Sequence, residues 1–92
     1  MREADIQKEI VTWAQKNGIW VVKYPGGIFG TTGTPDLILC VKGRFLALEV
    51  KKPGKPPKKI QEYRQNEIRK SSGISEIVVS LEEAVKVIEG VG

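Results

Sequence analysis

The chain has 92 residues, 40% hydrophobic and 28% charged, with a net charge of +4, one cysteine and no histidine. These counts exclude an internal disulfide and every histidine-dependent scheme, from Ser–His–Asp and Cys–His nucleophiles to HExxH metalloproteases. They also argue against structural zinc, so any catalysis must draw on carboxylates, lysine, tyrosine, hydroxyls or a hard metal ion.

The length suits one domain over residues 1–92. A chain of this size buries roughly two-thirds of the surface its unfolded form exposes. Its core is therefore modest, and self-association is expected. The mild basic excess is compatible with nucleic acid or an anionic surface. No apolar segment follows Met1-Arg2-Glu3, and no stretch approaches 18 apolar residues. A signal peptide and a membrane span are not expected, and the lone cysteine fits a cytoplasmic protein.

Glu3 to about Asn17 reads as a helix, with Ile6, Ile10, Trp13, Ala14 and Asn17 on one face and Gly18 closing it. Ile19–Tyr24 reads as a strand ended by Pro25-Gly26-Gly27, before a Gly- and Thr-rich loop reaching Pro35. Asp36–Val41 and Phe45–Lys51 flank the turn signal Lys42-Gly43-Arg44, which predicts a hairpin. A Pro-, Gly- and Lys-rich connector, Lys52–Pro57, leads to a helix from Lys58 to about Ser72, with Ile60, Tyr63 and Ile68 inward and Gly73 ending it. Glu76–Val79 reads as a short strand, and Ser80-Leu81-Glu82-Glu83 as a capping box opening a last helix to about Glu89. The order is α-β-β-β-α-β-α. The last strand follows a helical crossover, so it should lie parallel to a neighbour, making a mixed central sheet flanked by helices. Trp13 and Trp20 read as core, Cys40 as a small buried strand residue, and Tyr24 either as bordering the site or as packing in the core or at the sheet edge.

Alternation along the third strand puts Phe45, Ala47, Glu49 and Lys51 on one face; Asp36 shares its face with Ile38 and Cys40. A hairpin centred on Gly43 sets Asp36 close to directly opposite Glu49. Two ionised carboxylates at that range repel, and one must keep a proton unless a cation lies between them. Mg²⁺ suits such a place, Mn²⁺ can substitute, and the backbone carbonyl of Val50 is a further candidate ligand. Lys51 would then hold the attacking water, act as a general base or stabilise charge on a transferring phosphoryl group. Singly, Asp36 reads as a turn residue, and Glu49 with Lys51 as an edge-strand ion pair. Three polar groups converging at one end of an apolar hairpin point instead to a site.

Pro35-Asp36, then Glu49-Val50-Lys51, forms the PD-(D/E)XK nuclease pattern. With Gly33-Thr34 before it, Gly43-Arg44-Phe45 between and Gln61 in the next helix, the chain resembles the VRR-NUC family from Glu3 to the last helix. The resemblance implies an α/β PD-(D/E)XK restriction-endonuclease-like core and a Mg²⁺- or Mn²⁺-dependent phosphodiesterase. By that likeness Asp36 and Glu49 are the metal-binding acids, Lys51 the catalytic lysine and Gln61 a site-contacting glutamine. The superfamily's acid from the first helix would be Glu3, which faces the sheet, rather than Glu9 at the edge of the apolar arc. One departure is Pro56-Pro57-Lys58-Lys59, where a Ser or Thr helix cap is expected. Stand-alone members of this size are similar to resolvases that act as homodimers, and belong to bacterial or virus-infected cells.

Lys52, Lys55, Lys58 and Lys59 follow the catalytic strand and read as a phosphate-tracking ridge. Arg44, Arg64, Arg69, Lys70, Thr32 and Thr34 are further candidates for DNA contact. The leading expectation is a homodimeric endonuclease acting on branched DNA such as a four-way junction, leaving a 5′-phosphate, with no organic cofactor. The alternatives are a non-catalytic DNA-binding module and a nuclease subunit requiring a larger partner such as a helicase.

Overall fold

The computed structural model describes residues 1–24 and 34–92. The Gly- and Thr-rich loop, Thr32 included, lies outside the described residues apart from Thr34 and Pro35.

The described elements follow the expected order: α1 (Glu3–Lys16), β1 (Trp20–Lys23), β2 (Leu37–Val41), β3 (Arg44–Val50), α2 (Lys59–Lys70), β4 (Ile74–Val78) and α3 (Leu81–Glu89). The strands form one sheet in the order β1-β2-β3-β4. The first two pairings are antiparallel, and β4 runs parallel to β3 after the α2 crossover. The sheet is therefore mixed, as the helical connection requires.

The hairpin register follows from its turn. Lys42 and Gly43 both adopt positive φ, 52° and 78°. Two such residues make the tight turn whose twist matches the flanking strands. Arg44 accordingly already belongs to β3 and pairs with Val41. From there the register runs to Leu37 opposite Leu48, and one step further sets Asp36 against Glu49.

Alternation then divides the sheet. Leu37, Leu39, Val41, Leu46, Leu48 and Val50 form one buried face, packed with Ile6, Ile10 and Ala14 of α1 and Ala84 and Ile88 of α3. Each large side chain so buried contributes on the order of 1.5–3 kcal/mol. Helix α3 is capped as expected: the Ser80 hydroxyl accepts the Glu83 N–H at 3.1 Å. The Glu83 carboxylate accepts the N–H of Val79 at 2.9 Å.

The opposite face differs from expectation. Helix α2 packs on β4, and no described helix covers the β1–β2 side. Trp20 is 58% exposed and Phe45 44%, while Cys40, paired with both, is exposed too. Trp20 and Cys40 are therefore not core residues. Trp13 packs against the core from its edge. The inward face of α2 is carried by Gln65, buried, with Ile68 beside it, whereas Tyr63 (57% exposed) and Ile60 point outward.

The end of α2 also departs from the reading that placed Gly73 as its terminator. Ser72 takes the left-handed conformation, φ 68°. Gly73 is required for space: a Cβ there would lie 2.8 Å from Ile68 Cγ2.

Candidate active site

Asp36 sits where β2 and β3 begin to part. Its N–H donates to the Leu48 carbonyl at 3.1 Å, and its own carbonyl accepts the Tyr24 N–H at 2.9 Å. Its carboxylate Oδ2 accepts the N–H of Val50 at 2.7 Å, a donor that β2 no longer reaches. Asp36 thus has a structural partner as well as a place in the acidic pair.

Glu49 projects from the face opposite the apolar core and is only 5% exposed. Gln61 Nε2 donates to its Oε1 at 2.6 Å. The Gln61 carbonyl oxygen in turn accepts the N–H of Lys58 at 2.8 Å. One side chain thereby caps the first turn of α2, where no Ser or Thr is available, and fixes the carboxylate. This accounts for the missing hydroxyl cap: Gln61 satisfies an N–H of the kind a helix start leaves open.

Lys51, also 5% exposed, follows on the same side as Glu49. Its Nζ lies 3.9 Å from Glu49 Oε1, an ion-pair distance longer than a hydrogen bond. Its N–H donates to the Val78 carbonyl at 3.0 Å and extends the β3–β4 ladder by one residue. Strand pairing thus holds the lysine backbone, and its ammonium faces Glu49.

These surroundings raise both acids. Burial drives Glu49 up to about 8, and the negative charge of Asp36 adds to it. Asp36 also moves above the ordinary carboxylate range, again mainly through burial, although the Val50 N–H opposes the shift. The Lys51 ammonium favours ionisation of both but does not cancel the burial cost. Burial and mutual repulsion therefore oppose ionisation of both acids together when no cation is near. A divalent cation would relieve this conflict, and two carboxylate oxygens with a backbone carbonyl are the donors such a hard ion takes.

Glu3 lies beside this pair. Its charge is felt by both acids. Its Oε2 accepts the Lys52 N–H at 3.2 Å and faces Lys55 Nζ at 3.6 Å. Among the described residues no three acidic, Cys or His side chains converge on one point.

The basic candidates divide. Lys52, Lys55, Lys58 and Lys59 are exposed at the carboxylate end of β3, with Thr34 half-buried near it in sequence. Arg44 is exposed at the hairpin tip, roughly 17 Å of strand away from Glu49. Arg69 donates to the Ser75 carbonyl at 2.7 Å and pairs with Glu76 at 4.0 Å, which ties α2 to β4. Arg64 pairs with Glu67 at 2.6 Å and lies over the Tyr63 ring. Gln7 and Gln65 are buried polar residues that periodicity alone had not singled out.

No family model matches the sequence, and no curated protein matches it. Solved structures do. One, described as a "VRR_NUC domain", is 26% identical, with a TM-score of 0.77 over 98% of this chain and 97% of that one. A second, a "VRR_NUC domain protein", is 19% identical, with a TM-score of 0.82 over 97% of this chain and 86% of the other. The chain thus matches VRR_NUC domain structures over nearly its full length and has their α/β fold.

Proposed function

We propose that the protein is a metal-dependent nuclease of the PD-(D/E)XK type that hydrolyses phosphodiester bonds in DNA. The observation that carries this reading is the half-buried Asp36 and buried Glu49 beside the buried Lys51, with both acids raised and Gln61 bonded to one of them. Burying Glu49 and Lys51 beside a half-buried Asp36 costs stability and gives the fold nothing an apolar cluster would not. The VRR_NUC-like fold supports the same reading.

Asp36, Glu49 and the Val50 carbonyl would hold a Mg²⁺ ion, with Mn²⁺ as substitute. Bound there, the ion would supply the positive charge that activates water and stabilises the leaving oxygen. The Lys51 ammonium steadies the attacking water or the phosphoryl oxygens as charge builds on them. Gln61 keeps the Glu49 carboxylate oriented. Glu3 adds negative charge near the acids, which favours a cation. Lys52, Lys55, Lys58 and Lys59, with Thr34, lie at the same end and suit the DNA backbone on either side of the scissile bond. The water attacks in line, and the products are a 5′-phosphate and a 3′-hydroxyl.

The substrate favoured by this reading is branched DNA, such as a four-way junction, cut by a two-fold dimer. A dyad relates two sites for paired nicks. The exposed apolar side chains of the open sheet face, Trp20 and Phe45 among them, suit association. A labelled panel of four-way junction, flap, linear duplex and single strand tests the proposal in Mg²⁺, Mn²⁺ and EDTA. Junction cutting that needs a metal supports it. A chain that binds every DNA and cuts none in either metal would instead be a binding module, or a subunit awaiting a partner.

A further inference from the structure

Gln65 stands one helical turn after Gln61, so both side chains lie on the side of α2 that faces the sheet. Gln61 donates to Glu49 Oε1. Gln65 is nearly as buried as Glu49, 8% against 5% exposed. Yet its amide forms no hydrogen bond with another described residue. The same holds for the hydroxyl of Ser75 on β4, a residue only 2% exposed whose backbone carbonyl alone is used, by Arg69. Buried amides and hydroxyls are ordinarily hydrogen-bonded. A leucine and an alanine would fill these two places with no polar atom to satisfy. The packing of α2 on β4 therefore gives no reason for either residue.

Their common surroundings give one. Ser75 pairs with Ala47 in the parallel ladder, and Ala47 shares its strand face with Glu49, so Ser75 stands on the Glu49 side of the sheet. Under α2, Pro35, Glu49, Gln61, Gln65, Ile68 and Ser75 line one small cavity of about 10 Å³. That is about the smallest volume that holds one water molecule, and a buried water also needs roughly two to four polar partners. Glu49, Gln65 and Ser75 supply them, while Pro35 and Ile68 add apolar wall.

We infer that Gln65 is a positioning residue for Glu49, acting through a water molecule that it holds with the Ser75 hydroxyl in this cavity. The Gln65 amide and the Ser75 hydroxyl donate to the water oxygen, and the water donates to the Glu49 carboxylate. Gln61 then restrains that carboxylate directly and Gln65 restrains it through the water, one helical turn further on. Partners of this kind fix the direction in which a carboxylate presents its oxygens to a cation. The role in cation binding rests on the metal-dependent reading of Asp36 and Glu49; the water itself does not.

Two measurements test it. The first is a crystal structure of the wild-type protein in EDTA, at a resolution that shows buried water. Water density within about 3.2 Å of the Gln65 amide, the Ser75 hydroxyl and the Glu49 carboxylate is expected. A cavity without it, or one filled by a side chain, overturns the inference. The second is calorimetric titration of Mn²⁺ into wild type, Gln65→Met, Ser75→Ala and the double variant, with melting followed in EDTA. Each single variant is expected to bind Mn²⁺ about tenfold more weakly. The double variant should lose no more than about twofold beyond the weaker single one, because both substitutions remove the same water. A purely structural role would lower melting in EDTA and leave the Mn²⁺ affinity of the folded protein within about twofold of wild type. Losses that multiply in the double variant would mean two independent contacts. Either result overturns the inference. If Gln65→Met does not fold, Ser75→Ala decides by the same loss of affinity. Should wild type bind no Mn²⁺, the metal reading of Asp36 and Glu49 fails, and the crystal density alone decides whether a water links Gln65 to Glu49.

Discussion

The two faces of β3 have different compositions because they answer to different demands. Leu46, Leu48 and Val50 are fully buried against α1 and α3, and every one is apolar. On the other face Glu49 and, just beyond the strand, Lys51 are nearly as buried but carry ionisable groups, and Phe45 at the far end is open to solvent. Neighbouring residues of one strand thus hold the fold and form the proposed site by turns. The apolar face lowers the free energy of the folded state. The polar face raises it in the absence of a cation.

The largest effect should come from emptying the polar face. Glu49→Ala or Lys51→Ala is expected to lower metal-dependent cleavage by at least about 100-fold, the scale at which lost charge stabilisation in an active site is felt. Each should still fold. Circular dichroism with the cleavage panel checks both halves; retention of full activity by either variant would break the assignment.

The apolar face should respond the opposite way. Leu48→Ala removes a fully buried side chain and is expected to cost about 2–5 kcal/mol, a large part of a small domain's stability. Urea melts measure it directly. A loss below about 1 kcal/mol would mean that this face is not the main source of stability.

A third contrast is pH. Glu49 releases its proton near 4.5 when unfolded and only at about 8 when folded. Between those values the folded chain binds more protons than the unfolded one, so stability falls as pH rises. The contribution of the protonated group is fully present below pH 4.5 and gone above pH 8. Asp36, also raised, acts in the same direction. In EDTA the melting temperature should drop by about 5 °C or more from pH 5 to pH 8. Glu49→Gln should flatten that slope, and Mn²⁺ should restore the loss at pH 8. A melting temperature that climbs steadily over this range in EDTA would contradict the raised Glu49.

The smallest effects belong to the exposed lysines. Lys52→Ala, Lys58→Ala and Lys59→Ala should leave melting within about 0.5 kcal/mol. Each that contacts phosphate should lower the salt dependence of DNA binding by about one unit of slope. Arg44→Ala, at the remote hairpin tip, makes the comparison: a change there as large as at Lys52 would mean that DNA runs the length of the hairpin.

Much of this arrangement was legible from local rules. Lys42-Gly43 dictates a tight turn, the turn dictates the register, and the register sets Asp36 against Glu49. Alternation then assigns Glu49 and Lys51 to one face. The errors arose one level higher. Period-two alternation says that Trp20, Cys40 and Phe45 share a face, but not that a helix covers it. Helix α2 lies over β4, so that end of the face stays open. In α2 the apolar residues Ile60 and Tyr63 suggested the inner side, yet Gln61 and Gln65 occupy it, because a bond to Glu49 and the need to cap the helix outweigh two exposed apolar side chains.

What the chain's own pattern determined was therefore the list of elements, the pairing of β2 with β3 and the residues that share each face. These depend on interactions a few residues apart, and turn chemistry and strand period encode such interactions directly. Only the tertiary structure decided which face each helix covers, that Gln61 links the start of α2 to Glu49, that Glu3 meets the backbone of Lys52, and that burial lifts Glu49 to about 8. Those outcomes come from groups distant in sequence competing for the same space and the same hydrogen bonds, and no local period records who wins.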